Sequence, residues 1–176
     1  MKNIASYSFV IILFICSVSF AQNSIITKKG RKFLYGLDCS VSVLPYFGGS
    51  INFSATITSN TKYRHSLYIG SMLVDRYGIQ GGYKFFPNPK QKIFDFHFFY
   101  DIRYYKGSLG DIVELHYLQH IIGYGFHCNI ISNLYIYNNV GGGVINRELR
   151  YVDDYWPKSN SNEITGMFTI GIGYKI

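Results

Sequence analysis

Histidine and serine are the residues of this sequence with the clearest potential for catalysis. A serine hydroxyl becomes a nucleophile when a histidine removes its proton and a carboxylate orients that histidine. His65 directly precedes Ser66, but adjacent residues in a strand point to opposite faces. Ser132 has isoleucine rather than histidine two places before it. We therefore assign no catalytic residue, although five histidines are available: His65, His97, His116, His120 and His127.

Metal and cofactor chemistry also lacks a motif. The sequence contains no CxxC pattern and no His/Cys cluster with the spacing of zinc ligands. The glycine-rich stretches at 123–125 and 141–143 lack the strand-to-helix setting that a phosphate-binding loop needs. The sequence therefore predicts neither a metal nor a cofactor.

A different chemistry is suggested by the stretch IFDFHFFYDIRY at residues 93–104. Every even place from 94 to 104 is aromatic or aliphatic, while Asp95, His97, Asp101 and Arg103 occupy odd places. Neighbouring side chains in a strand point to opposite faces, so one face is almost entirely apolar and the other carries charge. Such a charged face could conduct protons or ions, or it could fill the interior of the protein.

The same alternation recurs along the chain. Strands are predicted at about 33–44, 47–58, 63–74, 77–86, 93–104, 114–128, 134–145 and 163–176. The seventh is ambiguous because both faces are mixed, and Gly141-Gly142-Gly143 permits a bulge. These segments exceed the roughly five or six residues usual in soluble proteins. They match the roughly nine to eleven residues of a membrane-spanning strand.

Two architectures fit eight long antiparallel strands. A lipocalin-like barrel places its apolar face inside, around a ligand, whereas a membrane barrel turns that face toward lipid. The polar face here is rich in Gly, Ser, Thr and Asn and low in Lys and Glu, which suits a crowded interior rather than a soluble exterior. Aromatic residues near the strand ends resemble interfacial girdles. The sequence therefore favours an all-β, closed, up-and-down, eight-stranded transmembrane barrel.

The first 21 residues are predicted to be a cleaved signal peptide. Lys2 precedes an apolar run at 9–15, and Ser19-Phe20-Ala21 offers small residues at the cleavage site. A membrane helix is the alternative, but the run is shorter than the roughly 20 residues that a span needs. Residues 22–32 would form a basic periplasmic segment and 33–176 the barrel domain.

Charge restricts the possible partners. The chain carries 17 Lys+Arg and 10 Asp+Glu, and removing Lys2 leaves 16 − 10 = +6. Because the cations are scattered and the chain is predicted to be exported, we expect no nucleic-acid partner. The cluster at 28–32 is either a solvated tail or a contact for anionic lipid headgroups. Cys39 and Cys128 fall on strands that are not neighbours, so we expect both to be free.

The chain resembles the small OmpA/OmpX-like outer-membrane β-barrels of bacteria. The resemblance rests on the signal peptide, the eight alternating strands and the closing stretch GMFTIGIGYKI, which is similar to the final strand read by barrel-assembly machinery. The chain departs from the family in ending with Ile176 rather than Phe or Trp. The resemblance implies an integral outer-membrane monomer that contacts lipid and lipopolysaccharide and meets the assembly machinery during insertion. An even strand count then places both termini in the periplasm.

A polar cluster is predicted inside the barrel. Its members would pair with each other or bind water, because an unpaired charge in a low-dielectric interior is costly. We expect a structural plug, with an ion path or catalytic cluster as the alternative, since eight strands enclose little more than their own side chains. The predicted members are Asp38, Arg64, Lys84, Asp95, His97, Asp101, Arg103 and Glu163. Glu114 is expected at the outer rim.

The external loops are the other candidate site. Loops are expected at 44–46, 75–76, 105–113 and 146–162, and the last is the longest. Trp, Tyr and Arg are favoured at binding hot spots, and loops often carry function. The candidates for an external interaction are Arg147, Arg150, Asp153, Asp154 and Trp156.

These observations favour a structural or surface-interaction role. One alternative is an outer-membrane barrel enzyme that modifies lipid A, but the His-x-Ser-Asn motif of the deacylase family is absent. The other alternative is a secreted lipocalin-like ligand carrier.

Overall fold

The computed structural model describes most of the chain beyond residue 32. It covers residues 33–44, 48–60, 63–73, 77–88, 93–109, 113–131, 133–151 and 159–176. The predicted signal peptide at 1–21 and basic segment at 22–32 lie outside these residues. No helix in the described part of the chain is long and apolar enough to cross a membrane.

Eight antiparallel strands form a closed barrel in which each strand pairs with its neighbours in sequence. Their bounds are β1 Phe33–Leu44, β2 Gly48–Asn60, β3 Arg64–Leu73, β4 Tyr77–Phe86, β5 Phe94–Leu109, β6 Val113–Asn129, β7 Leu134–Tyr151 and β8 Ser159–Lys175. The barrel closes where β1 pairs with β8, from Gly36–Lys175 to Val43–Phe168. The prediction of an all-β, closed, eight-stranded up-and-down barrel is confirmed.

The two faces of the strands have opposite chemistry over most of the barrel. Leu67, Ile69 and Ile122 point outward and are 63%, 72% and 67% exposed. Their inward neighbours Ser66 and Ile121 are buried. Because neighbouring residues alternate between faces, the apolar positions form an exposed belt around the barrel and the polar positions fill its interior.

The strands differ in length, and two predicted loops are wrong. Strands β1–β4 have 10 to 13 residues, whereas β5–β8 have 16 to 18. The predicted loops at 105–113 and 146–162 are largely strand: Leu109 pairs with Val113, and Leu149 pairs with Ser159. One side of the barrel is therefore taller than the other.

The taller side reverses the polarity of the belt. We call its segments 105–109, 113–117, 145–151 and 159–163 the outer wall. Tyr105, Leu115 and Ile145 face inward there and are buried. Nearer the end where β1 begins, inward positions of the barrel are mostly polar. Outward-facing Glu148 and Arg150 are polar where the belt is apolar. This change explains why loops were predicted at 105–113 and 146–162. A membrane strand is recognised by apolar residues on its outward face, and that pattern ends where the outward residues become polar.

Strand β7 has a continuous register and no bulge at its three glycines. Gly141, Gly142 and Gly143 pair in step with β6 and β8. A Cβ added to Gly141 would lie 2.6 Å from Cγ2 of Ile121 and 2.9 Å from Cζ of Phe99. The glycine therefore makes room for an aromatic ring inside the barrel.

Candidate functional site

Seven of the eight residues predicted for the interior are buried in it. Asp38, Arg64, Lys84, Asp95, His97, Asp101 and Arg103 are all nearly inaccessible. Glu163 faces the same way but lies at the taller end and is partly exposed. The alternation thus brings polar side chains from four strands, β1, β3, β4 and β5, into one interior cluster.

Two buried ion pairs lie in this cluster. Arg64 on β3 reaches past β4 to Asp95 on β5, with Nη2 2.9 Å from Oδ2. Arg103 and Asp101 face each other along β5, with Nε donating to Oδ2 at 2.7 Å. Removing one partner of a buried pair leaves an uncompensated charge, which costs about 3–5 kcal/mol. Each pair therefore depends on both members.

Asp38 is held by hydroxyl donors. Thr56 on β2 donates from Oγ1 to Asp38 Oδ2 at 2.6 Å. Tyr135 on β7 donates its phenol proton to Asp38 Oδ1. Charge-assisted hydrogen bonds of this kind are stronger than neutral ones. The carboxylate thereby links β1 to its neighbour β2 and, across β8, to β7.

Lys84 lies between two aromatic rings. Its Nζ is 4.5 Å from the ring centre of Tyr137 and 5.1 Å from that of Tyr68. An ammonium close to an aromatic face is attracted by the ring's quadrupole, more strongly when it is desolvated. The aromatic faces thus partly replace the water that a buried lysine loses.

The closing seam has its own polar network. Ser42 on β1 bonds Thr169 on β8 with 2.7 Å between the hydroxyl oxygens. Asn52 on β2 donates to Ser42 Oγ at 2.8 Å and to Ser40 Oγ at 3.2 Å. These small side chains fit the crowded interior of an eight-stranded barrel.

Interior aromatic residues were missed by the sequence analysis. Phe86 lies 4.6 Å below the guanidinium of Arg64, and it also contacts His97 and His127. The ring of Tyr135 stacks on His127 with centroids 4.8 Å apart. The sequence analysis assigned aromatic residues to the lipid-facing side, so it did not predict that Phe86 and Tyr135 would lie inside the barrel. The glycines opposite them, such as Gly173 near Tyr135, were the available signal.

The taller end of the interior is filled by apolar side chains. Met72, Tyr105, Leu115, Tyr117 and Ile145 form a buried hydrophobic cluster there. A second, smaller cluster of Phe99, Ile121 and Met167 lies in the barrel interior. The predicted plug of polar residues is therefore only part of the filling, and apolar residues complete it.

The predicted external-interaction residues do not form one loop. Arg147 lies on β7 and faces inward, with Nη2 3.1 Å from Oε1 of Glu163. Arg150 faces outward and makes a two-pronged contact with Glu148, both distances being 2.9 Å. Asp153, Asp154 and Trp156 lie outside the described residues.

Three histidines form pairs with tyrosines on the outward face. Tyr100 bonds His120 at 2.6 Å, Tyr104 bonds His116 at 2.7 Å, and Tyr83 bonds His65 at 2.5 Å. His116 is also 3.4 Å from Glu114, which lies at the end of the barrel where β6 begins. No described histidine hydrogen-bonds a serine, so the described geometry does not assemble a Ser–His pair. No group of metal-ligating side chains occurs among the described residues.

The fold and this interior define a closed, eight-stranded antiparallel barrel with an apolar outer belt and an interior filled by polar networks and two apolar clusters. The N-terminal β-barrel domain of Pseudomonas aeruginosa OprF is similar, with a TM-score of 0.51 and 9% identity, covering 84% of this chain and 100% of that one. At this identity the similarity shows the fold alone.

Two further structures align less well. They are a major outer membrane protein from Thermus thermophilus (TM-score 0.45, 10% identity, 83% of this chain and 100% of that one) and KdgM porin (TM-score 0.29, 10% identity, 79% and 98%). Neither a family model nor a curated protein sequence matches the chain.

Proposed function

We propose that this protein is a small integral outer-membrane β-barrel with a structural or surface-interaction role. One observation carries the proposal: the barrel exposes an apolar belt and buries the charges that lie behind it, among them Arg64, Asp95 and Arg103. Transfer of apolar surface out of water is favourable at about 25 cal/mol per Å². A belt of this kind is costly in water and stable in lipid, so its solvent is the hydrocarbon of a bilayer.

The dimensions agree with this proposal. The shortest strand has 10 residues, which is within the length of about 9–11 residues needed by a tilted membrane strand. Closure pairs the backbone groups around the barrel, and lipid requires such closure. Export as an outer-membrane protein would also use the signal peptide predicted at 1–21.

The proposed orientation places both termini in the periplasm. The outer wall then projects from the cell surface, where its polar outward residues meet water or lipopolysaccharide headgroups. Barrel-assembly machinery would recognise the final strand during insertion, and the folded protein would be a monomer. The wall is the proposed interaction surface, and Arg150 and Glu148 are its most prominent charged pair.

The two alternative functions have less support. A lipocalin-like carrier needs an apolar cavity, whereas the described apolar residues of the belt face outward. A cavity in the interior has a volume of about 30 Å³, which is far too small for a lipophilic ligand. A lipid A-modifying enzyme needs an activated nucleophile, and the hydroxyls bound by the described outward histidines are phenols.

Fractionation of cells that express the full chain tests the proposal. We expect the protein in the outer membrane, extracted only by detergent, and migrating faster on a gel when unheated than when boiled. Recovery in buffer without detergent would instead support the soluble carrier. Lipid A mass spectra from the same cells test the enzyme, and a change in mass that depends on expression would support it.

A further inference from the structure

Strand β8 has a neighbouring strand on only one side over its first part. On one side, the pairing between β7 and β8 continues as far as Leu149–Ser159. On the other side, the pairing between β1 and β8 stops at Val43–Phe168. Among the described residues, no strand therefore runs along the β1 side of β8 between Ser159 and Met167.

Alternate residues of β8 turn their backbone groups toward this open side. The N–H of Lys175 donates to the carbonyl of Asn133 on the β7 side at 2.7 Å, whereas the carbonyl of Tyr174 lies near Gly36 of β1. Because the register between β7 and β8 is unbroken, the even-numbered residues of β8 point their N–H and C=O groups away from β7. Those in the open part include Asn160, Asn162 and Ile164, and we call their open side the β8 edge.

The exposure of the side chains shows that the β8 edge is accessible. Ile164 is 89% exposed, whereas Ile69, in the apolar belt on β3, is 72% exposed. A residue inside a sheet is flanked by side chains of both neighbouring strands, but Ile164 has Val144 of β7 on one side only. Asn160 and Asn162 are also exposed. The backbone donors and acceptors of the edge can therefore be reached by a partner.

The β8 edge lacks the features that commonly prevent another strand from adding to a sheet. Exposed edges are usually protected by being short or by carrying lysine, proline or another charged residue. The opposite edge of the outer wall, on β5, runs only from Lys106 to Leu109 and carries a lysine. The β8 edge instead carries two asparagines and an isoleucine, and the nearby carboxylate of Glu163 is engaged by Arg147. Of the two edges, β8 is therefore the one that can accept a strand.

We propose that the β8 edge binds an extended peptide segment of another protein, which adds to the outer wall as a further strand. The backbone groups of the edge recur about every 6.6 Å, which is the repeat of a strand and not of a helix. In this kind of recognition main-chain hydrogen bonds supply the affinity and the alternate side chains supply the specificity. The edge fits a segment with neutral side chains, with an apolar residue beside Ile164 and small polar residues beside Asn160 and Asn162. This names a partner class for the surface-interaction role proposed above and rests on that role.

Amide hydrogen exchange, measured by NMR on the full chain refolded in a nonionic detergent, tests the edge. The N–H groups of Asn160, Asn162 and Ile164 should exchange at least about tenfold faster than those of Ser161 and Thr165, which face β7. A capped heptapeptide of alternating threonine and valine is the probe. We expect it to slow exchange at the three edge positions. The same peptide with a central proline should not, because proline interrupts the strand.

Matched variants locate the binding. Asn160→Lys places a charge on the edge and should abolish the effect of the peptide, whereas Asn146→Lys, one strand away on β7, should retain it. If Asn160→Lys does not fold, Asn162→Lys replaces it.

Three outcomes would overturn the proposal. They are slow exchange at the edge positions without peptide, no protection by the threonine–valine peptide, and equal protection by the two peptides. All three are measured on purified protein in detergent, so they are distinguishable from a failure of the fractionation test.

Discussion

At the residue scale, the interior charges depend on partners rather than on solvent. Asp101 and Arg103 are two places apart on β5, so both point inward, and each is nearly inaccessible. Burial removes the hydration of both ions, and their contact only partly compensates for it. Replacing one member of the pair should therefore lower the free energy of unfolding much more than replacing both members.

Arg103→Leu should destabilise the barrel by about 3–5 kcal/mol, because Asp101 is left buried without its cation. The double variant Asp101→Leu with Arg103→Leu should recover most of that loss, since apolar replacements of a buried pair are often neutral. Urea unfolding of the refolded protein measures both. Arg150→Leu is the control, because its ion pair lies on the exposed outer wall and its loss should hardly move the midpoint. Equal midpoints for Arg103→Leu and the native chain would contradict the buried pair.

Most interior charges could be predicted from the sequence, but their partners could not. Alternation alone says which face Asp38 and Lys84 occupy. It does not say that Tyr135 reaches Asp38, or that Tyr137 covers Lys84, because those strands are distant in sequence and meet only after closure. Tyrosine was also assigned to the lipid side on hydrophobicity, whereas its hydroxyl lets it serve a polar interior.

At the element scale, one strand can serve two solvents. Along β7 the outward residue Val144 belongs to the apolar belt, and Asn146 begins the polar outer wall. Asn146 donates to Asn162 of β8 at 2.8 Å, directly above the paired residues Val144 and Ile164. The loop prediction at 146–162 was wrong because the outward face becomes polar there while the backbone ladder between β7 and β8 continues.

Arginine placed in the belt should be far more damaging than arginine in the wall. Ile69→Arg puts a charge on an exposed position of β3 in the belt and should cost about 2–4 kcal/mol in a lipid bilayer. Asn162→Arg, on the outward face of β8 in the wall, should be nearly neutral. Refolding into phospholipid vesicles, followed by urea titration, compares the two variants. Equal costs would mean that the belt and the wall do not lie in different solvents.

At the scale of the whole molecule, the strand count and closure follow from simple alternation. The number of strands, their antiparallel order and the inside-out polarity were all predicted, because a period of two over long segments has few other solutions. The unequal height of the barrel was not predicted, because the outward residues become polar in the extended parts of β5–β8 and no longer follow the pattern of a membrane strand. The role of the outer wall is likewise not encoded by any motif.

Cysteine labelling in intact cells tests the proposed orientation. Cys39 and Cys128 are free and would first be replaced by serine. In that background Asn160→Cys, on the wall, should react with a membrane-impermeant maleimide added outside. Ser59→Cys, which pairs with Phe33 at the opposite end of the barrel, should react only after the cells are opened. The reverse pattern would place the termini at the cell surface.

In the proposed membrane setting, the change from Ile164 to Asn162 would also set the depth at which the barrel sits in the bilayer. Strands advance about 3.3 Å per residue, so moving by one outward position shifts the barrel by roughly 6–7 Å along a strand. A shift toward the periplasm would place Asn146, Asn162 and then Glu148 in hydrocarbon. A shift away from the periplasm would place Ile164, whose side chain is 89% accessible, in water instead of lipid. In the proposed membrane setting, this change of polarity would hold the taller side of the barrel against sliding along the membrane normal, so the sequence itself would set how far the barrel projects from the membrane.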